Sequence, residues 1–176
     1  MFNVGDTVVK PGLGICKIKA VRNMQVEGKN QQFYVLQSGD VKVMVPFSYA
    51  HAGGLRLPLD ADGIEKIYAY LREPIPVPEN EHETPELYPV ALEKGKEEIK
   101  QRDPQTVAAL IKTLFYKEKL VELAKAENEL YHNALSLLGD EIAHYEHSTR
   151  LKAVNRIKAV LTEGRRSRNK ESLMPH

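Results

Sequence analysis

Phe2-Asn3-Val4-Gly5-Asp6-Thr7-Val8-Val9-Lys10-Pro11-Gly12-Leu13-Gly14 boxes a short apolar run between two turn pairs, Gly5-Asp6 and Pro11-Gly12. A strand over Thr7 to Lys10 is the simplest reading. Beyond it, the alternation in Gly14 to Ala20 predicts Cys16, Ile18 and Ala20 on one face and Lys17 and Lys19 on the other. Gln32 to Gln37, with Phe33, Tyr34, Val35 and Leu36, is strand-forming and stops at Ser38-Gly39-Asp40. Val41, Val43 and Val45 then alternate with Lys42 and Met44 until Pro46 ends the ladder. Short strands between glycine turns predict a small barrel. Asp60 to Arg72, with Ile64, Ile67, Tyr68 and Leu71 on one stripe, reads as a helix closing that first domain, residues 1–73.

Pro74-Ile75-Pro76-Val77-Pro78 and the acidic run that follows read as a stiff extended linker over 74–85. From there the period becomes helical, which predicts an all-α domain over 86–164. Its first helix runs from Leu87 to Gln101. Asp103-Pro104 starts the next, a capping carboxylate before a proline whose missing N–H costs nothing there. Leu123 to His144 forms a third. Ser148 is the expected cap of a last helix bearing Leu151, Val154, Ile157 and Leu161, which Gly164 should end. Residues 165–176 are expected to be a frayed basic tail. The fold class is therefore α+β in two domains.

Charge is nearly balanced, with a formal net of +1. Residues 1–73 hold nine Lys/Arg against seven Asp/Glu, and residues 86–176 hold sixteen against fourteen. Any nucleic-acid contact must then come from local patches and not from a global field. No apolar run approaches the ~20 residues of a membrane-spanning helix. A lone cysteine, Cys16, and a start without a basic, then apolar, leader point to a cytoplasmic chain.

The motifs above resemble the CarD/CdnL family of bacterial transcription regulators. Phe2, Val4-Gly5-Asp6, Val8-Val9, Pro11 and Gly14 fit that family's F-x-V-G-D-x-V-V-Y-P-x-x-G start, with Lys10 in place of tyrosine. Gly28 and Tyr34-Val35-Leu36, then Val43-Met44-Val45-Pro46 and Gly54-Leu55-Arg56, follow in the family's order. Glu97 to Asp103 and Val107 to Leu114 fit the register of its helical domain. The resemblance implies a small Tudor-like β-barrel followed by an all-α domain. It implies docking of the barrel on the RNA polymerase β-subunit, with the helical domain on upstream promoter DNA. The related module of transcription-repair coupling factors sits in much longer chains with a motor, and no GxxxxGK[ST] loop occurs here.

Under that resemblance the polymerase-binding candidates are Lys17, Lys19, Met24, Val26, Lys42, Met44 and Pro46. Met44 is the sharpest, because alternation points it outward, away from the three valines, and exposed methionine suits adaptable interfaces. A lone surface methionine is the plain alternative. The DNA-binding candidates are Tyr88, which stands where the family carries a tryptophan that wedges into the minor groove, with Lys94, Lys96, Lys100 and Arg102. Val90-Ala91 occupies the place of the family's Arg-Arg, and the chain has no tryptophan. A second possibility therefore stays open: a polymerase-bound adaptor whose helical domain binds protein and not DNA. No nucleophile–base pair or metal-ligand spacing is legible, so neither an enzyme nor a cofactor, metal or small-molecule substrate is expected. A monomer is expected.

Overall fold

In the computed structural model, which describes residues 1–75, 92–101 and 103–171, strands β1 (Thr7–Lys10), β2 (Gly14–Val26), β3 (Lys29–Ser38) and β4 (Val41–Pro46) form one antiparallel sheet in sequence order. The sheet curls into a half-barrel of Tudor-like form. Its concave face buries Val8, Cys16, Ile18, Tyr34, Leu36 and Val45, and Ala50 and Leu55 close the core from the segment that follows. That segment is a short helix α1 (Phe47–Tyr49) continued by a wider turn over Ala50–Gly54, which the alternation of the preceding strands did not foretell. β2 and β3 meet in a two-residue turn, with Val26 opposite Lys29. Both turn residues hold positive φ, Glu27 at 51° and Gly28 at 76°, the geometry whose twist matches a β-hairpin.

By its contacts the chain divides into two compact units, one ending at Pro58 and the other beginning at Leu59. This moves the helix expected to close the first domain. Helix α2 (Ala61–Arg72) turns Ile64, Ile67, Tyr68 and Leu71 into the helical core. The barrel closes with Ala50 and Leu55 and does not need that stripe. Most of the expected 74–85 linker lies outside the described residues.

The helical unit continues with α3 (Leu92–Gln101), α4 (Pro104–Glu118), α5 (Lys125–Glu146) and α6 (Arg150–Glu171). Asp60 caps α2 by accepting from the Gly63 N–H at 2.8 Å, and Asp103 caps α4 by accepting from Thr106 N–H at 2.8 Å. Ile111, Leu114, Leu138, Ile142 and Ile157 are fully enclosed. Burial of such side chains, each contributing about 1.5–3 kcal/mol, holds the bundle together.

Two details of the last helix differ from expectation. Thr149, not Ser148, caps it: the Lys152 N–H lies 3.3 Å from Thr149 Oγ1 and the Ala153 N–H bonds the Thr149 carbonyl. The helix also passes through Gly164 and carries residues 165–171 in helical form. Leu151, placed on its apolar stripe from sequence, is 69% exposed; Ala153, Ile157, Val160 and Leu161 make the buried face.

Glu127 fixes the start of α5. Its carboxylate accepts from Lys117 Nζ at 2.6 Å and from the Ala124 N–H at 3.0 Å. Burial pushes this carboxyl up, but the hydrogen bonds from Lys117 and Ala124 and the Lys117 charge outweigh it, and the group is held below its ordinary value of 4.5. A depressed carboxyl contributes stability that is fully present above the unfolded pKa and lost as pH falls through the folded one. We expect Glu127→Gln to be less stable than the parent by about 1–3 kcal/mol at pH 7. The difference should shrink as pH falls below 4.5. Urea melts at pH 7 and at successively lower pH check this; a gap that does not narrow would sink the idea.

Candidate partner and nucleic-acid interfaces

The sheet register decides which side chains share the convex face. Ile18 pairs with Leu36, but the next pair is Ala20 with Val35, so Lys19 sits in a β-bulge. The extra residue reverses the parity of β2. Ala20, expected beside Cys16 and Ile18, therefore lands on the outer face, and the correction has this single physical cause. Directly paired residues lie on the same side of a sheet. Three rows follow: Ala20–Val35–Met44, Arg22–Phe33–Pro46 and Lys17–Gln37–Lys42. Met24, opposite Gln31, and Val26, opposite Lys29, extend the face along the projecting hairpin.

Of the residues singled out from sequence, Lys17, Met24, Val26, Lys42, Met44 and Pro46 thus share one face, with Lys19 exposed at the bulge. Met24 and Met44 are each 44% exposed, large for apolar side chains in a sheet. The pairing adds Phe33 and Val35, half-buried between them, which sequence reasoning passed over. The signal was available: Tyr34 and Leu36 point into the core, so Phe33 and Val35 must point out. β2, β3 and β4 together carry Lys17, Lys19, Arg22, Lys29 and Lys42 and no Asp or Glu. The face is apolar at its centre and positive at its margins.

The two edges of the sheet are not equivalent. Val9 of β1 exchanges backbone hydrogen bonds with Arg56, at 2.8 and 3.2 Å, which covers part of that edge. Among the described residues β4 makes no backbone pairing other than with β3. A strand with one row of backbone groups unpaired is a template for strand addition. Met44 sits on that strand. Behind it, Tyr34 stacks on Phe47 with ring centroids 4.0 Å apart and donates its hydroxyl to the Phe2 carbonyl at 3.1 Å. These contacts make the support of the face rigid.

The helical unit presents a different picture. On α3, Lys94 lies 3.7 Å from Glu98 and Lys100 lies 3.1 Å from Glu97. These exposed pairs are worth little in stability, but they offset the positive charge a phosphate would meet. Lys96 is exposed on the same helix. Tyr88 and Arg102 lie outside the described residues. Among the described residues no group of three His, Cys, Asp or Glu side chains is placed to hold a metal ion, and no helix is long and apolar enough to cross a membrane.

A bulged, curled sheet with one open edge and an apolar, base-rimmed outer face, followed in the chain by a helical unit, defines a docking module joined to a helical domain. Comparison with known families agrees with both halves: residues 2–57 match the CarD-like/TRCF RID domain, and residues 79–158 match the CarD, C-terminal domain. The chain belongs to the CarD/CdnL family, a family of non-enzymatic transcription factors, and is a transcription-associated protein that interacts with RNA polymerase.

Proposed function

We propose that the barrel docks on the β-subunit of RNA polymerase by adding a strand to the β4 edge. The outer-face side chains Lys17, Lys19, Met24, Val26, Lys42, Met44 and Pro46 make the specific contacts. The helical domain lies on upstream promoter DNA, Tyr88 stacking at the bubble edge with Lys94, Lys96, Lys100 and Arg102 near phosphates. Preferential contact with the open form stabilises the open promoter complex, and a few kcal/mol of such preference moves the population substantially. The protein acts as a cytoplasmic monomer without cofactor or small-molecule substrate.

The observation that carries this is the exposed Met44 on the strand whose edge is open. An added strand would set its outward side chains beside Met44, and an apolar and acidic partner surface would complement the face. The expected result is that Met44→Asp weakens binding to the isolated β-subunit lobe by about 30-fold, near 2 kcal/mol, with an unchanged melting temperature. Affinity within threefold of the parent would remove Met44 from the contact. Loss of fork-junction DNA binding in Tyr88→Ala tests the second half.

The pairing of Lys94 with Glu98 and Lys100 with Glu97 favours a second reading, in which the helical domain engages a protein. Polymerase binding without any DNA binding would select it.

A further inference from the structure

The helical form of residues 165–171 changes what the basic carboxyl-terminal residues can do. A helix displays its bases at fixed spacing, which a frayed tail does not. On α6, Arg150 is committed to Asp140 through bonds of 2.5 and 3.0 Å, and Arg156 to Glu146 at 2.7 Å. Both pairs tie α6 to α5. Lys152, Lys158, Arg165 and Arg166 are different: among the described residues none of them has an ion-pair partner. Glu163, the one acid between Arg150 and Arg166, is engaged by Arg72 at 3.7 Å.

At about 100° per residue, the buried positions Ala153, Ile157, Val160, Leu161 and Gly164 occupy one side of α6. Arg166 falls on the opposite side with Asn155 and Thr162, Lys152 and Lys158 lie about 60° to either side of it, and Arg165, half-buried, lies at the edge of the buried face. At 1.5 Å per residue the four bases span about 21 Å. Duplex DNA carries about one phosphate per 1.7 Å of axis, so a groove-side run of that length offers several for each base.

We propose that the outward face of α6 is a phosphate-backbone contact for duplex DNA, using Lys152, Lys158 and Arg166, with Arg165 at its edge. The face is sequence-independent: it holds no aromatic and its polar residues are few, so it positions and does not read bases. Its uncompensated charge contrasts with the paired lysines of α3, and the complement to four cations on a rigid rod is a regular polyanion. Arg165 and Arg166 lie beyond residue 158, where the match to the family's helical domain ends. The inference rests on the reading that the helical domain meets promoter DNA, and it assigns that contact to further residues.

The test is fluorescence anisotropy of the full chain with a 30-bp duplex of arbitrary sequence between 50 and 200 mM NaCl (about the range over which phosphate contacts are lost). Four phosphate contacts should contribute about −3.6 to the slope of log affinity against log salt. The triple variant Lys152→Gln/Lys158→Gln/Arg166→Gln should make the slope shallower by about 2.7 and weaken binding more than tenfold at the lowest salt. All three positions are exposed and glutamine is a good helix former, so the fold should persist; circular dichroism confirms it. Lys158→Gln alone should move the slope by about 0.9. A parent that binds and a triple variant that binds equally would overturn the α6 assignment and leave DNA contact through α3 standing. A parent that binds no duplex at all would overturn both. Binding of poly-glutamate as tight as binding of duplex would assign the face to an acidic protein instead.

Discussion

Tyr34→Ala should leave the β unit largely unfolded at 25 °C and abolish binding to the polymerase lobe. Tyr34 is 0% exposed and stands at the junction of three rings. It stacks on Phe47 at 4.0 Å and meets Phe2 and His51 edge-on at 6.2 and 6.3 Å. Its hydroxyl bonds the Phe2 carbonyl and ties the amino-terminal segment to the sheet. Removing a buried aromatic typically costs about 3–5 kcal/mol. A unit ending at Pro58 has a total stability of only about 3–9 kcal/mol at ordinary per-residue values. Collapse of the site is limited, because Phe47 and His51, which would wall the cavity, already hold each other edge-on at 5.6 Å. Tyr34→Phe separates the contributions: it keeps the stacking and loses one hydrogen bond, so it should cost only about 1 kcal/mol. Amide NMR dispersion of residues in β2 to β4 is the readout. A well-dispersed spectrum for Tyr34→Ala would show that the ring cluster is not what holds the barrel.

The same residue shows how much of the docking face could be read in advance. Alternation alone set Met44 outward, because a strand with one buried face has only two phases, while Tyr34 was legible as a strand residue without a face. What alternation cannot carry is a bulge. The one extra residue at Lys19 moves Ala20 across the sheet, and nothing in Lys17-Ile18-Lys19-Ala20 distinguishes a bulged strand from a regular one. The strand's own alternation could have set Phe33 and Val35 outward, but the rows that join them to Met44 exist only once cross-strand register is known. Domain membership failed for a similar reason. The stripe of α2 announces that it must be buried, but periodicity does not say against what, and neighbours in sequence lost to α4 and α6. On α3, the spacing of Lys94 to Glu98 and of Glu97 to Lys100 already reads as an ordinary solvated face, and the structure sets these pairs 3.7 and 3.1 Å apart. The α6 face needed the helix to continue beyond a glycine that reads as a stop signal.

That glycine carries the second large effect. Gly164→Leu should destabilise the helical unit by about 3 kcal/mol and lower its melting temperature by roughly 10 °C or more. A Cβ at this position would lie 2.2 Å from the carbonyl oxygen of Arg72 and 2.9 Å from its carbonyl carbon. Those atoms are backbone at the end of α2 and cannot swing aside as a lysine tip would. The helix end must retreat, or α6 must, and either movement loosens the contacts of Leu71 and Leu161 with the core. Intrinsic propensity works in the opposite direction, since leucine in a helix interior is favoured over glycine by close to ~1 kcal/mol. A net loss can therefore come only from the crossing itself. Gly164→Ala should fall between the parent and Gly164→Leu, its propensity gain offsetting part of the collision. Scanning calorimetry of the three proteins decides it. A leucine variant that melts at or above the parent would mean that α2 and α6 do not approach this closely, and that the glycine serves only as a weak point in the last helix.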